Sequence, residues 1–228
     1  KTKKLTIFFS DIVNFTATTE SLESEELTSM LNSYLVVMSE IALKYGATID
    51  KFIGDAIMIF FGDPFSKGIK EDAISCVKMA IEMQNRLESF REEQKINGVV
   101  NPFHIRCGIA TGTVIVGNFG SNERMDYSIL GKFVNLASHL EAACTPDEIL
   151  VSQETYIQIK KDIPTITKEK LLITGFHEKI QPYEIIRDKS EEEISFQTNS
   201  TLRALLNNMD RENVVLDFDT KKLIKDYI

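Results

Sequence analysis

Along the chain, apolar and polar positions first alternate with a period of two and then switch to a helical period. Lys4–Asp11 predicts a strand: Leu5, Ile7 and Phe9 interleave with Thr6, Phe8 and Ser10, so both faces are expected to be covered. Asp11 stands where that strand ends, and Ile12–Thr19 predicts a short turn. Glu23–Tyr45 then carries Leu27, Leu31, Tyr34, Leu35, Met38, Ile41 and Ala42 at the spacing of an amphipathic helix. Ser24 and its acidic neighbours suit its start, and Gly46 ends it. Ala47–Phe52 and Ala56–Phe61 predict two strands about the tight turn Ile53-Gly54-Asp55. After the break at Gly62-Asp63-Pro64, Lys70–Phe90 predicts a second helix, ended by the charged stretch Arg91–Lys95 and the loop Asn97-Gly98.

Phe103–Ala110 and Thr113–Phe119 predict a second hairpin about Thr111-Gly112, followed by the glycine-containing loop Gly117–Ser121. Met125–Leu130 reads as a short extended piece and Lys132–Ala143 as a helix. Ile149–Ser152 and Leu171–Ile186 supply further strands, with a helix at Gln153–Lys160 between them. The order β-α-β-β-α-β plus extra strands is the split βαβ, ferredoxin-like plan. It predicts an α+β fold: an antiparallel sheet with helices packed on one face. After Arg187 the composition turns charged, beginning Asp188-Lys189-Ser190-Glu191-Glu192-Glu193. Residues 1–187 are therefore expected to form one domain and 188–228 a C-terminal extension or linker. Leu202, Leu205, Leu206 and Met209 suggest one more short helix there.

Composition narrows the function classes. Lys and Arg number 26 against 34 Asp and Glu, a formal charge of −8, which opposes a general nucleic-acid binder. No apolar run approaches the length of a membrane span; Ala56–Gly62 has seven residues. No membrane contact is expected of this segment. Lys1–Lys4 leads into a strand-like stretch, so no cleavable leader is expected. The widely spaced Cys76, Cys107 and Cys144 suit a reducing compartment rather than a disulfide framework. A cytoplasmic location follows as an expectation, for this segment alone or as the cytosolic part of a larger membrane or sensor protein.

Candidate chemistry rests first on two acids. Asp11 closes the first strand and Asp55 lies in the first hairpin turn. In the βαβ plan that strand lies beside that hairpin, so the two side chains can meet at one sheet edge. Two close carboxylates repel unless a cation sits between them, and hard oxygen ligands favour Mg²⁺ or Mn²⁺ with substrate phosphates completing the shell. The turn Ile12–Phe15 opens toward helical geometry, so its backbone N–H groups could face phosphate. By spacing alone the bland reading stands beside this one: Asp11 caps a helix and Asp55 fills a turn.

The neighbouring residues change that balance. Phe9-Ser10-Asp11-Ile12-Val13-Asn14-Phe15-Thr16 resembles the first metal motif of the class III nucleotidyl cyclases, and Lys51-Phe52-Ile53-Gly54-Asp55-Ala56 resembles their second. The blocks Gly108–Gly112, Val116–Gly120, Arg124–Tyr127 and Leu130–Ser138 continue the likeness in order over residues 3–187. The resemblance implies that Asp11, Asp55 and the Ile12 carbonyl hold two Mg²⁺ or Mn²⁺ ions for an in-line displacement at a triphosphate. It implies that Lys51 reads the purine, since lysine can donate to adenine N1 whereas guanine presents N1–H. Ser128 matches the second base-reading position; its hydroxyl can accept from the adenine amino group but can also donate, so it discriminates less. Asn135 matches the ribose-orienting residue. The family's head-to-tail dimer implies ATP bound between two copies, one offering the aspartates and the other the base and ribose residues.

Departures bear on rate. His139 stands four residues after Asn135, where the family has an arginine that stabilises charge on the α-phosphate; a neutral imidazole offers one donor and no permanent charge. Lys132 and Lys179 are candidates to supply the missing phosphate contacts. Arg106 reads as structural or surface, Cys107 and Phe60-Phe61 as core, His104 and His177 as structural, and Arg124 and Asp126 as ordering the loop before Ser128. The leading expectation is an adenylate cyclase making 3′,5′-cyclic AMP and pyrophosphate. The alternatives are a weak or inactive nucleotide-binding regulatory domain, a guanylate cyclase, which Lys51 opposes, and an RNA-recognition module, which the acidic charge opposes.

Overall fold

A computed structural model describes residues 1–21, 23–189 and 191–211. The chain runs β1 (Thr2–Ile12), α1 (Phe15–Ser21), α2 (Ser24–Lys44), β2 (Thr48–Ile53), β3 (Ala56–Phe61), α3 (Ile69–Ile96), β4 (Ile105–Gly120) and β5 (Met125–Leu130). It continues with α4 (Lys132–Ala143), β6 (Ile149–Val151), α5 (Gln153–Ile159), β7 (Thr165–Thr167), β8 (Tyr183–Ile185) and α6 (Glu191–Arg211). The strands form one sheet in the order β2-β3-β1-β4-β6-β8-β7, with β5 paired to β4. All pairs are antiparallel except β4 with β6. This is the mixed α+β architecture that the sequence pattern predicts.

The alternation in β1 does divide two cores. Leu5, Ile7 and Phe9 join Phe60, Val114 and the α4 residues Leu136, Ala137 and Leu140. Phe8 and Ile12 join Ile57, Ile59 and the inward faces of α2 and α3, including Tyr34, Met38, Val77, Met83 and Leu87. Helices therefore cover both faces, and the expectation of one helical face is corrected. A strand as apolar as β1 needs cover on each side.

Three local expectations also change. No hairpin forms at Thr111-Gly112; β4 runs straight through, and the hairpin is β4–β5, with Gly120 opposite Met125. Gly108 and Gly112 serve close packing instead of a turn. A Cβ on Gly108 would lie 2.1 Å from the Ala137 carbonyl oxygen, and one on Gly112 would lie 2.2 Å from the Phe133 ring. The bare strand backbone is what lets α4 lie against it. The predicted turn Ile12–Thr19 runs into the helix α1, which starts after Asn14 at φ 55° and continues to Ser21.

Helix α3 continues past Phe90 to Ile96 because Arg91 and Gln94 point inward with Leu87. Gln94 accepts from the Phe103 N–H at 2.8 Å. The buried Arg91 guanidinium lies 3.0 Å from Glu193 of α6, which Arg187 also grips at 3.0 Å. Burial raises the Glu193 pKa, but the two arginines outweigh it and hold the carboxyl below its usual range. Phe196 stacks on His104 at 3.6 Å, and Asp147 holds the His104 Nδ1 at 2.6 Å. The helix expected near Leu202 lies within α6; the side chains of Leu206 and Met209 fall outside the described ones.

Candidate active site

Antiparallel pairing places Asp11 opposite Arg106 at the end of β1. The β2–β3 turn, with Gly54 at φ 65°, brings Asp55 to the same edge, where Asp55 Oδ2 accepts from the Ile12 N–H at 3.1 Å. The left-handed glycine supplies the backbone geometry that a two-residue hairpin turn demands. Asp55 lies within hydrogen-bonding reach of Asp11. Burial first, then Asp11, push the Asp55 pKa up to about 6.

A third carboxyl joins them. Glu141 sits on the buried stripe of α4, and its pKa is pushed up to about 7 by burial, against the pull of Arg106 and with the push of Asp11 and Asp55. Arg106 donates to Asp11 at 3.0 Å and lies 3.0 Å from Glu141. Two of the three carboxyl groups, Asp11 and Glu141, thus share one guanidinium, and Asp55 stands beside them without an arginine of its own among the described residues. The Asp11–Asp55 oxygens suit a hard divalent cation, with water or phosphate completing the shell. Among the described residues no cluster of three or more acidic, histidine or cysteine side chains forms a ready-made metal cage. Magnesium commonly binds through one or two carboxylates plus substrate phosphates, so two fit.

The base-reading candidates also meet. Ser128, buried on β5, donates to Asp50 Oδ2 at 3.1 Å, and the half-exposed Lys51 ammonium lies 3.3 Å from the same oxygen. Asn135 and His139 lie one turn apart on the exposed side of α4, away from Leu136, Ala137 and Leu140. Neither makes a hydrogen bond or ion pair with Asp11 or Asp55 among the described residues. Phe15 packs its half-buried ring against Phe103, centroids 6.0 Å apart.

Sequence reasoning set Arg106 aside and did not single out Glu141 or Asp50. The signals were present. Arg106 is a lone charge in an apolar strand, and Glu141 is a charge on the apolar stripe of α4. Asp50 precedes Lys51 in a strand otherwise read for its ends. Of the remaining sequence readings, Cys107, Phe60 and Phe61 are buried. Arg124 and Asp126 pair loosely at 3.7 Å on the surface.

Comparison with known proteins shows the family and the fold. Residues 1–187 match the adenylate and guanylate cyclase catalytic domain family, and the chain belongs to that family of class III nucleotidyl cyclases. The crystal structure of the adenylyl cyclase CyaB from P. aeruginosa is 49% identical, with a TM-score of 0.81 over 84% of this chain and 97% of that one. That of the guanylyl cyclase Cya2 is 30% identical, with a TM-score of 0.78 over 84% of this chain and 95% of that one. A terminal-differentiation-specific adenylate cyclase of Dictyostelium discoideum is 36% identical over 83% of this chain. The match spans only 9% of that relative's length.

Proposed function

We propose that this chain is an adenylate cyclase catalytic domain that converts ATP to 3′,5′-cyclic AMP and pyrophosphate in a head-to-tail homodimer. We take residues 1–187 as the catalytic unit and 188–228 as its extension. The meeting of Asp11 and Asp55 at one sheet edge carries this reading, because an acid pair so close needs a cation. Asp11, Asp55 and the Ile12 carbonyl would hold two Mg²⁺ or Mn²⁺ ions, which when bound supply charge neutralisation at the triphosphate and activation of the ribose 3′-hydroxyl. Asp11 and Asp55 orient their oxygens by their hydrogen bonds to Arg106 and the Ile12 N–H. Lys51 donates to adenine N1, and Ser128 accepts from the 6-amino group. Asn135 orients the ribose, and His139 offers a single donor toward the α-phosphate; these two, together with Lys51 and Ser128, come from the partner copy. The backbone from Ile12 to Phe15 lines the phosphate side.

A second reading is a weak or inactive nucleotide-binding regulator, favoured by one residue, His139. Incubation of the full chain with ATP or GTP and Mn²⁺, with chromatographic separation of products, decides between them. The expected result is cyclic AMP in excess over cyclic GMP. Unreacted ATP would favour the regulator, and dominant cyclic GMP would overturn the base assignment.

A further inference from the structure

We propose that Asp50 is a positioning residue for base selection, which turns the ambiguous Ser128 hydroxyl into an acceptor and tethers Lys51 beside it. The proposal rests on the adenine reading above and assigns its specificity to a residue that does not itself touch the nucleotide.

The backbone supplies the first observation. Pairing between β2 and β3 slips at this point: Ile49 faces Ile59, and Lys51 faces Met58, leaving Asp50 as the extra residue of a bulge. In a regular strand, adjacent side chains point to opposite faces. A bulge re-aims one of them, and here the Asp50 and Lys51 charges come within 3.3 Å.

Burial supplies the second. The Asp50 side chain has no solvent exposure, and its Oδ1 has no hydrogen-bond partner among the described residues. A half-satisfied buried carboxylate costs stability, so its presence is not explained by holding the strand together.

Hydrogen-bond chemistry supplies the third. A carboxylate has no hydrogen to give, so the Ser128 hydroxyl must donate its single hydrogen to Asp50 Oδ2. The hydroxyl then shows a ligand only lone pairs. Adenine offers a 6-amino donor and an N1 acceptor, which match Ser128 and the Lys51 ammonium. Guanine and hypoxanthine offer a 6-oxo acceptor and an N1–H, which meet lone pairs and an ammonium hydrogen respectively. Without Asp50 the hydroxyl could rotate and donate to a 6-oxo group.

The test compares ATP with purine riboside triphosphate, which lacks the 6-amino group, and with inosine triphosphate. The proteins are wild type, Asp50→Ala, Asp50→Asn, Ser128→Ala and Asp50→Ala/Ser128→Ala, with cyclisation measured as kcat/KM. Wild type should prefer ATP over the purine analogue by about tenfold or more, the scale of one discriminating hydrogen bond. Asp50→Ala and Ser128→Ala should each shrink that ratio to within about threefold. The double variant should shrink it no further, because both substitutions remove one interaction. Asp50→Asn, which keeps the shape but not the obligatory acceptor, should lie between, and use of inosine triphosphate should rise in Asp50→Ala. An unchanged ATP-to-analogue ratio in folded Asp50→Ala, or independent losses in the double variant, would overturn the proposal. If Asp50→Ala does not fold, the Asp50→Asn ratio decides in the same way. Failure of the cyclase reading shows separately, as no cyclic product from wild type. Competition binding of the same triphosphates then gives the ratios, and equal ratios or no binding overturn the Asp50 proposal.

Discussion

Asp55 is held against Asp11 with its pKa near 6, well above the ordinary 3.8. Because burial and the neighbouring acid disfavour its charged form, the unfolded chain gives up this proton before the folded one does. The folded state then binds more protons, so stability from this site falls as pH rises from about 4 through about 6 and stays lowered above. A divalent cation pairs the charges and reverses the loss. Mn²⁺ should therefore raise Tm more at pH 7.5 than at pH 5, and apparent Mn²⁺ affinity should fall about tenfold per pH unit below 6, one proton leaving per ion bound. Asp55→Asn should abolish turnover and remove the pH-dependent part of the Mn²⁺ effect; calorimetric titration and thermal melts check both. Equal Mn²⁺ binding by Asp55→Asn would take the metal away from this pair. On the proposed reading His139 brings no permanent charge to the α-phosphate. His139→Arg should raise kcat by at least about tenfold, given what charged donors contribute at developing phosphate charge. A steady-state assay showing no gain would mean that another group already serves the α-phosphate.

At the scale of elements, periodicity located most helices and strands because each buries a clear stripe. It misjudged α3, where Arg91 and Gln94 look solvent-exposed in sequence but fill inward positions, Arg91 through Glu193 far along the chain and Gln94 through the Phe103 N–H in the next segment. It misread β4 because Gly112 carries a turn signal, while its real constraint is the Phe133 ring above it. Such tertiary reasons leave no local trace. The two metal candidates were legible from motif and topology together. Glu141 and Asp50 left only a faint trace there, a charge on an apolar stripe and an acid beside Lys51, since each matters only through a neighbour brought in by folding. The contact of α4 with β4 is equally unforgiving. Gly108→Ala would drive a methyl into the backbone of Ala137 and Glu141, which cannot swing aside. It should cost on the order of 1–3 kcal/mol or more. Denaturant unfolding measures the loss, and turnover should fall with it because α4 also carries Asn135 and His139. A midpoint equal to wild type would show that the helix can shift freely.

For the whole molecule, the arrangement of the site decides the account. One chain gathers Asp11, Asp55 and Arg106 at the end of β1 but shows Asn135 and His139 on the outer side of α4, with no hydrogen bond or ion pair between the two sets among the described residues. On the proposed reading a single copy presents two half-sites, and specific activity should fall on dilution as dimers part. Mixing two inactive variants tests this most directly. Asp55→Asn and Asn135→Ala are each expected to make no cyclic AMP alone. Co-refolded in equal amounts, half of the dimers pair the two, and each such dimer has one site with an intact aspartate pair and an intact asparagine. The account predicts recovery of about a quarter of wild-type cyclic AMP formation. A mixture as silent as its components, although dimers are shown to exchange, would contradict it.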